Sequence, residues 1–112
     1  MNIKQSVGFY DTFERSGSPT RDTHYCAGCG HGILHKLICE ALVDLELQDR
    51  TVIVNPIGCA VFGYYYWDAG NVGAAHGRAQ AVATAMCRTL PGRVVISYQG
   101  DGDLGAIGFN CT

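Results

Sequence analysis

The sequence lacks an excess of charge of either sign. Eight lysines and arginines stand against ten aspartates and glutamates, for a formal net charge of −2. No basic patch is available for a phosphate backbone, so nucleic acid is not an expected partner. It lacks an apolar run long enough to cross a bilayer, and its N-terminus does not read as a signal peptide. A cytoplasmic location, with no membrane partner, is therefore the expectation. Internal repeats and linkers are also missing, and 112 residues allow at most one small domain. Cysteine and glycine are in surplus. The six cysteines are Cys26, Cys29, Cys39, Cys59, Cys87 and Cys111. In a reducing compartment they read as metal ligands or buried thiols rather than disulfides. The fifteen glycines cluster at 28–32, 58–77 and 100–108, which suggests tight loops converging on a site.

The stretch Arg93–Gly108 organises the rest. Its β-branched run Val94–Ile96 predicts a buried strand. Gly100-Asp101-Gly102-Asp103 predicts a sharp turn, and an apolar helix is expected from Leu104. In α/β proteins anionic ligands settle where a strand passes through a glycine turn into a helix. This turn carries two carboxylates and no lysine. Two anions repel a bare phosphate but suit Mg²⁺, a hard cation that takes oxygen ligands and bridges to a diphosphate. Gly100 and Gly102 let a ligand approach the backbone, since no Cβ intervenes. The bland reading is a surface turn, and a short glycine motif alone does not exclude it.

Residues 1–24 show no period and read as an irregular N-terminal arm. After a loop at Cys26–Gly32, apolar residues Ile33, Leu34, Leu37, Ile38, Ala41, Leu42 and Leu45 recur at helical spacing. Cys39 beside that stripe reads as a buried thiol, and His35 and Lys36 are expected to face solvent or a partner. Gln48-Asp49-Arg50 is a turn and Thr51–Val54 a strand, ended by a loop at Asn55–Cys59. The aromatic segment Val61–Asp68 is expected to be core or interface packing. Asn71–His76 reads as a loop. The small and apolar residues from Gly77 to Leu90 predict a helix buried on most sides, with Cys87 as inert core. Pro91-Gly92 stops it. This order implies an α/β fold, a parallel sheet with flanking helices, with its ligand loops on the rim beyond the strand ends.

Cys26 and Cys29 form a C-x2-C pair on a glycine loop just before a helix, and Cys59 ends the next strand. In a parallel α/β unit these two places lie at the same edge, so three thiolates can converge. Three is one short of the four that Fe–S clusters and structural zinc usually need. Cys111, at the very end, is a poor fourth, and His31 and His76 are candidates that nothing forces. A metal or cluster site, a redox pair and unliganded thiols all remain open on spacing alone.

Taken together, the motifs resemble one family. They are Tyr25-Cys26-Ala27-Gly28-Cys29-Gly30-His31-Gly32, Ile57-Gly58-Cys59, His76-Gly77-Arg78-Ala79 with Val82-Ala83-Thr84, and Tyr98-Gln99-Gly100-Asp101-Gly102-Asp103 with Ala106-Ile107-Gly108. Their order resembles the thiamine diphosphate-binding β subunit of 2-oxoacid:ferredoxin oxidoreductases, over about residues 23–108. The resemblance implies a partial thiamine diphosphate-binding fold, with residues 25–112 as the N-terminal part of that domain. Asp101 would ligate Mg²⁺, with Gly100, Gly102 and Asp103 beside the diphosphate. His76, Gly77 and Arg78 would line the cofactor pocket, and Gly58 and Cys59 would approach the thiazolium side. Cys26, Cys29 and Cys59 would be three of four ligands to a [4Fe–4S] cluster. The implied reaction is oxidative decarboxylation of a 2-oxoacid to its acyl-CoA, with electrons passing through the cluster to ferredoxin. An α subunit would supply the pyrimidine-side domain. The aromatic Phe62, three residues past Cys59, looks more like the 2-oxoisovalerate type than like readers of carboxylate-tailed acids.

The family's second Mg²⁺ ligand, an asparagine, and its fourth cluster cysteine would lie beyond Thr112, and Phe109–Thr112 departs from the pattern. The resemblance therefore implies a fragment with negligible activity in isolation. Two alternatives remain. One is a non-oxidative thiamine diphosphate enzyme, which shares the glycine–aspartate turn but needs no cluster. The other is a non-enzymatic cysteine-based metal or redox module.

Overall fold

Thr51–Asn55 is the middle strand of the molecule, and four of its five residues are buried. A strand covered on both faces must be apolar throughout, and Val52-Ile53-Val54 meets that condition. A computed structural model describes residues 7–11, 13–15, 18–20 and 23–111. In chain order it contains β1 (Phe13–Arg15), β2 (Ser18–Thr20), α1 (Gly30–Asp44), β3 (Thr51–Asn55), β4 (Gly70–Gly73), α2 (Ala79–Thr89) and β5 (Val94–Ser97). A 3-10 segment, Cys59–Tyr65, follows β3, and a π-helical turn, Gly102–Ile107, follows β5. β4, β3 and β5 form a parallel sheet in that order, with Ile53 opposite Asn71 on one side and Ile96 on the other. The expected α/β architecture is thus present. No described helix is long and apolar enough to cross a membrane.

Several local expectations need correction. Asn71–His76 was expected to be a loop, yet Gly70–Gly73 is a strand. Glycine at both ends hides the strand in a sequence reading, and it forms because β3 offers it a ladder to pair with. Within the 1–24 arm β1 and β2 pair as an antiparallel ribbon, while the other described residues, 7–11 and 23–24, form no helix or strand beyond one bridge. Before them Phe9 bridges to Trp67, and the Tyr10 N–H donates to the Tyr66 carbonyl at 2.9 Å. The rest of the arm, including residues 1–6, lies outside the described residues.

The faces of α1 also differ from expectation. His35 was expected to look outward but is 1% exposed, on a buried stripe with Cys39 and Leu42. Ile33, Leu34 and Leu37 are instead exposed. A helix turns about 100° per residue, so apolar residues spread over a wide arc do not fix which side packs. Here the aromatic shell decides. The His35 ring packs against Trp67 at 4.3 Å, Tyr98 at 4.8 Å and Tyr25 at 5.0 Å. The core gathers Cys39, Ile53 and Trp67, with Phe9, Ile38, Ala69, Ile96 and Tyr98 against them. α2 packs on β5 and β3, but it is less buried than expected. Ala81, Ala85 and Cys87 are exposed, so Cys87 is not core.

Candidate functional site

The loops after β3, β4 and β5 leave the sheet at one edge, because all three strands run parallel. Asp103 ties these loops together. It is 2% exposed. Oδ1 accepts from the Gly77 N–H at 2.9 Å and from His76 Nδ1, and Oδ2 accepts from Gln99 Nε2. The backbone of Ile57 also donates to it. Burial pushes this carboxyl up. The bonds from Gln99, Gly77, His76 and Ile57 oppose burial and hold it below the ordinary aspartate value. Gln99 in turn donates to Gln80 Oε1 at 2.9 Å, and Gln80 Nε2 donates to the Gly108 carbonyl at 2.8 Å.

Asp101 has the opposite surroundings. It is exposed, and its carboxylate has no hydrogen-bond or ion-pair partner among the described residues. The turn it belongs to begins earlier than expected. Asp101 itself has helical backbone angles, and the π-helical turn starts at Gly102 rather than Leu104. Asp101 thus stands at the cap position and Asp103 in the first turn, at the end where the helix dipole favours negative charge. π-helical turns are rare and are frequent at functional sites.

The glycines sort in the same way. A Cβ on Gly77, at φ +75°, would lie 2.6 Å from Ile107 Cγ2 and 2.7 Å from the Ile107 carbonyl carbon. Gly77 is therefore required by its own packing. A Cβ on Gly58, Gly100 or Gly102 would meet nothing within 4 Å. These three border open space that a ligand could fill. An unpaired carboxylate next to glycines facing open space fits Mg²⁺, which is held by one or two carboxylates together with phosphate oxygens. Arg78 is exposed at the same rim, with Nη1 donating to its neighbour's carbonyl at 3.1 Å and lying 3.4 Å from Cys111 Sγ.

All described cysteines are free thiols. Cys26 and Cys29 share a tight turn, with the Cys29 N–H donating to the Cys26 carbonyl at 3.0 Å. The Tyr25 hydroxyl donates to the Cys59 carbonyl at 2.9 Å, which joins the two cysteine loops. Burial, then Tyr66, Tyr98, Cys59 and Cys29, push that hydroxyl far above the ordinary tyrosine range. The C-x2-C loop and Cys59 therefore meet around Tyr25. Among the described residues, however, no three Cys, His, Asp or Glu side chains stand in metal-holding geometry. His31 Nδ1 and the Tyr98 hydroxyl are 2.7 Å apart, so the cysteine loop also touches the strand that leads into the acidic turn. The sequence reading offered His31 only as an unforced fourth ligand and gave Tyr25 and Tyr98 no role beyond their motifs. The one hint was the pair His31 and His35, four apart on α1 and so on one face.

Beyond Cys59 the aromatic segment divides. Tyr66 and Trp67 are buried core residues. Phe62 is half-buried, with His24 stacked on it at 4.6 Å and 9°. His24 also stacks on Tyr65 at 5.2 Å.

No protein-family model matches the chain. It is nevertheless homologous to subunits of the 2-oxoacid:ferredoxin oxidoreductases, and its fold is the α/β fold of a solved member of that class. The relatives include ketoisovalerate oxidoreductase subunit VorA of Methanothermobacter thermautotrophicus, 59% identical over 112 residues, covering 98% of this chain and 23% of the relative. 2-Oxoglutarate synthase subunit KorB of Methanocaldococcus jannaschii is 39% identical over 89 residues, covering 77% of this chain and 32% of the relative. Among solved structures, the 2-oxoglutarate:ferredoxin oxidoreductase from Magnetococcus marinus, with 2-oxoglutarate, coenzyme A and succinyl-CoA bound, superposes with a TM-score of 0.76 at 28% identity, over 98% of this chain and 35% of that chain. The chain thus spans about a quarter of VorA and about a third of the other two. The alignment with VorA takes in all but about two residues of this chain.

Proposed function

We propose that this chain supplies the diphosphate–Mg²⁺ corner and three cluster cysteines of a 2-oxoacid:ferredoxin oxidoreductase. The reaction would convert a branched-chain 2-oxoacid such as 2-oxoisovalerate to its acyl-CoA. The observation that carries the reading is the division of labour at the acidic turn. Asp103 is buried and fully engaged in holding three loops, while Asp101 is exposed and free beside glycines that face open space.

Thiamine diphosphate, when bound, supplies an electron sink for decarboxylation, and a [4Fe–4S] cluster supplies single-electron transfer. Asp101 would hold Mg²⁺, while Gly100 and Gly102 admit the diphosphate to the backbone. Asp103 accepts from His76 Nδ1 and so leaves Nε2 as the ring nitrogen available to a ligand. Arg78 contributes a cation at the same rim. Cys26, Cys29 and Cys59 would ligate the cluster. Phe62, with His24 and Tyr65 stacked beside it, offers an apolar wall next to Cys59 that suits an aliphatic acid tail. The high identity with VorA supports the same choice of substrate. An α subunit, ferredoxin and CoA would complete the cytoplasmic enzyme.

The test uses the complete protein with its partner subunits. The expected results are iron and acid-labile sulfide in the purified complex and CoA-dependent reduction of ferredoxin by 2-oxoisovalerate. Absence of ferredoxin reduction with every 2-oxoacid tried would overturn the reading.

A further inference from the structure

The bonds around Asp103 have a direction, and it is set from a distance. The Gly108 carbonyl can only accept, so the end of Gln80 that lies 2.8 Å from it is the Nε2 amide. A Cβ on Gly108 would lie 2.4 Å from that nitrogen, so the glycine also leaves the amide its place. Gln80 Oε1 is thereby turned to Gln99, whose Nε2 donates to it at 2.9 Å. The same Gln99 nitrogen donates to Asp103 Oδ2, since a side-chain amide carries two hydrogens. At the other end of that amide, the Ser97 hydroxyl donates to Gln99 Oε1 at 2.9 Å. A flip of Gln99 would set its oxygen against Gln80 Oε1 and Asp103 Oδ2, acceptor on acceptor.

The run ends at His76. With Gln99, Gly77 and Ile57 all donating to Asp103, the carboxyl stays ionised, and an ionised carboxyl only accepts. His76 Nδ1, bonded to Asp103 Oδ1, must therefore carry the proton of that bond. A neutral imidazole protonated at Nδ1 presents Nε2 as an acceptor. The His76 side chain is 40% exposed, so a ligand can reach it. We propose that Gln80 and Gln99 are positioning residues, an amide relay from the Gly108 carbonyl to Asp103 that selects the Nδ1–H form of His76. The inference rests on the reading of His76 under "Proposed function" and deepens it with two residues that act through Asp103.

Gln99→Met and Gln80→Met keep side-chain length and remove the amides. Without Gln99, Asp103 Oδ2 is free to turn from its place. Without Gln80, nothing keeps Gln99 from turning its oxygen to Asp103. Both variants are made in the complete complex with histidine labelled by 15N in its ring, and the His76 signals are found by their loss in His76→Gln. Wild type is expected to show a protonated Nδ1 and a bare Nε2. In both variants the proton should spread over the two nitrogens. Carbethoxylation of His76, which needs a bare Nε2, should slow about 10-fold in Gln99→Met, the scale of one hydrogen bond to a charged group. Gln80→Met is the sharper case. Gln80 has no hydrogen bond to Asp103 or His76 among the described residues, so a packing role alone would leave the ring nitrogens as they are in wild type. Wild-type signals in Gln80→Met would overturn the relay, as would a bare Nδ1 in wild type. If Gln99→Met does not assemble, Gln80→Met decides alone. The reading under "Proposed function" fails separately, by absence of ferredoxin reduction in wild type, and the ring-nitrogen signals decide the relay either way.

Discussion

At the scale of single residues, the two aspartates of one turn separate by surroundings. Asp103→Asn puts an amide among donors that need an acceptor, and a buried charged hydrogen-bond network makes that costly. We expect a loss of about 2–3 kcal/mol, read as a lower melting temperature. Asp101→Asn should leave stability within about 0.5 kcal/mol, as exposed substitutions do, and should abolish Mg²⁺-dependent cofactor binding measured by calorimetry. Phe62→Lys places a cation where the aromatic wall stands. The ratio of kcat/KM for 2-oxoglutarate over 2-oxoisovalerate should rise about 10-fold or more. His35 gives a pH signature. Burial, reinforced by His31, lowers its imidazole from 6.5 to about 3. Between those values the unfolded chain binds a proton that the folded chain refuses, so stability falls as pH falls, by up to about 1.4 kcal/mol per pH unit. His35→Leu removes a buried imidazole whose ring nitrogens have no hydrogen-bond partner among the described residues. Melting temperature followed from pH 7 to 4 should decline less steeply in that variant.

At the scale of elements, legibility in the sequence followed the range of the forces involved. α1, β3, α2 and β5 were visible because periodicity, β-branching and stop signals act within a few residues. β4 was not, since Gly70-Asn71-Val72-Gly73 has little strand character until β3 lies beside it. The buried face of α1 was misread for a related reason, because the rings that select His35 come from residues 25, 67 and 98. The glycine and aspartate positions of the site were legible as a motif, but the role of Asp103 was not. Its partners Gly77 and His76 lie 26 and 27 residues away. Glycine packing gives an element-scale prediction. Gly77→Ala combines left-handed backbone with contact at 2.6 Å, whereas Gly92, at φ +77°, has nothing within 4 Å. Gly92→Ala should cost about 1–2 kcal/mol from backbone strain alone. Gly77→Ala should cost more than that and should also shift the Ile107 end of the π-helical turn, both readable by thermal melts and backbone NMR.

At the scale of the whole molecule, the site belongs to the sheet rather than to any one loop. Each motif sits at the end of a different strand or the start of a different helix, and bonds across the rim hold them in place. The Tyr25–Cys59 bond spans 34 residues and the His31–Tyr98 bond spans 67. Contacts of such separation form late, because closing a long loop costs entropy before any bond repays it. During synthesis the cysteine turn emerges before β5 and must wait for that strand to be made before it is fastened. A ribosome-bound chain arrested before Val94 should therefore leave the Cys26–His31 turn open to protease. One carrying Asp103 clear of the exit tunnel should protect it, so the cysteine turn is fastened only when a tyrosine 67 residues after its own histidine has been made.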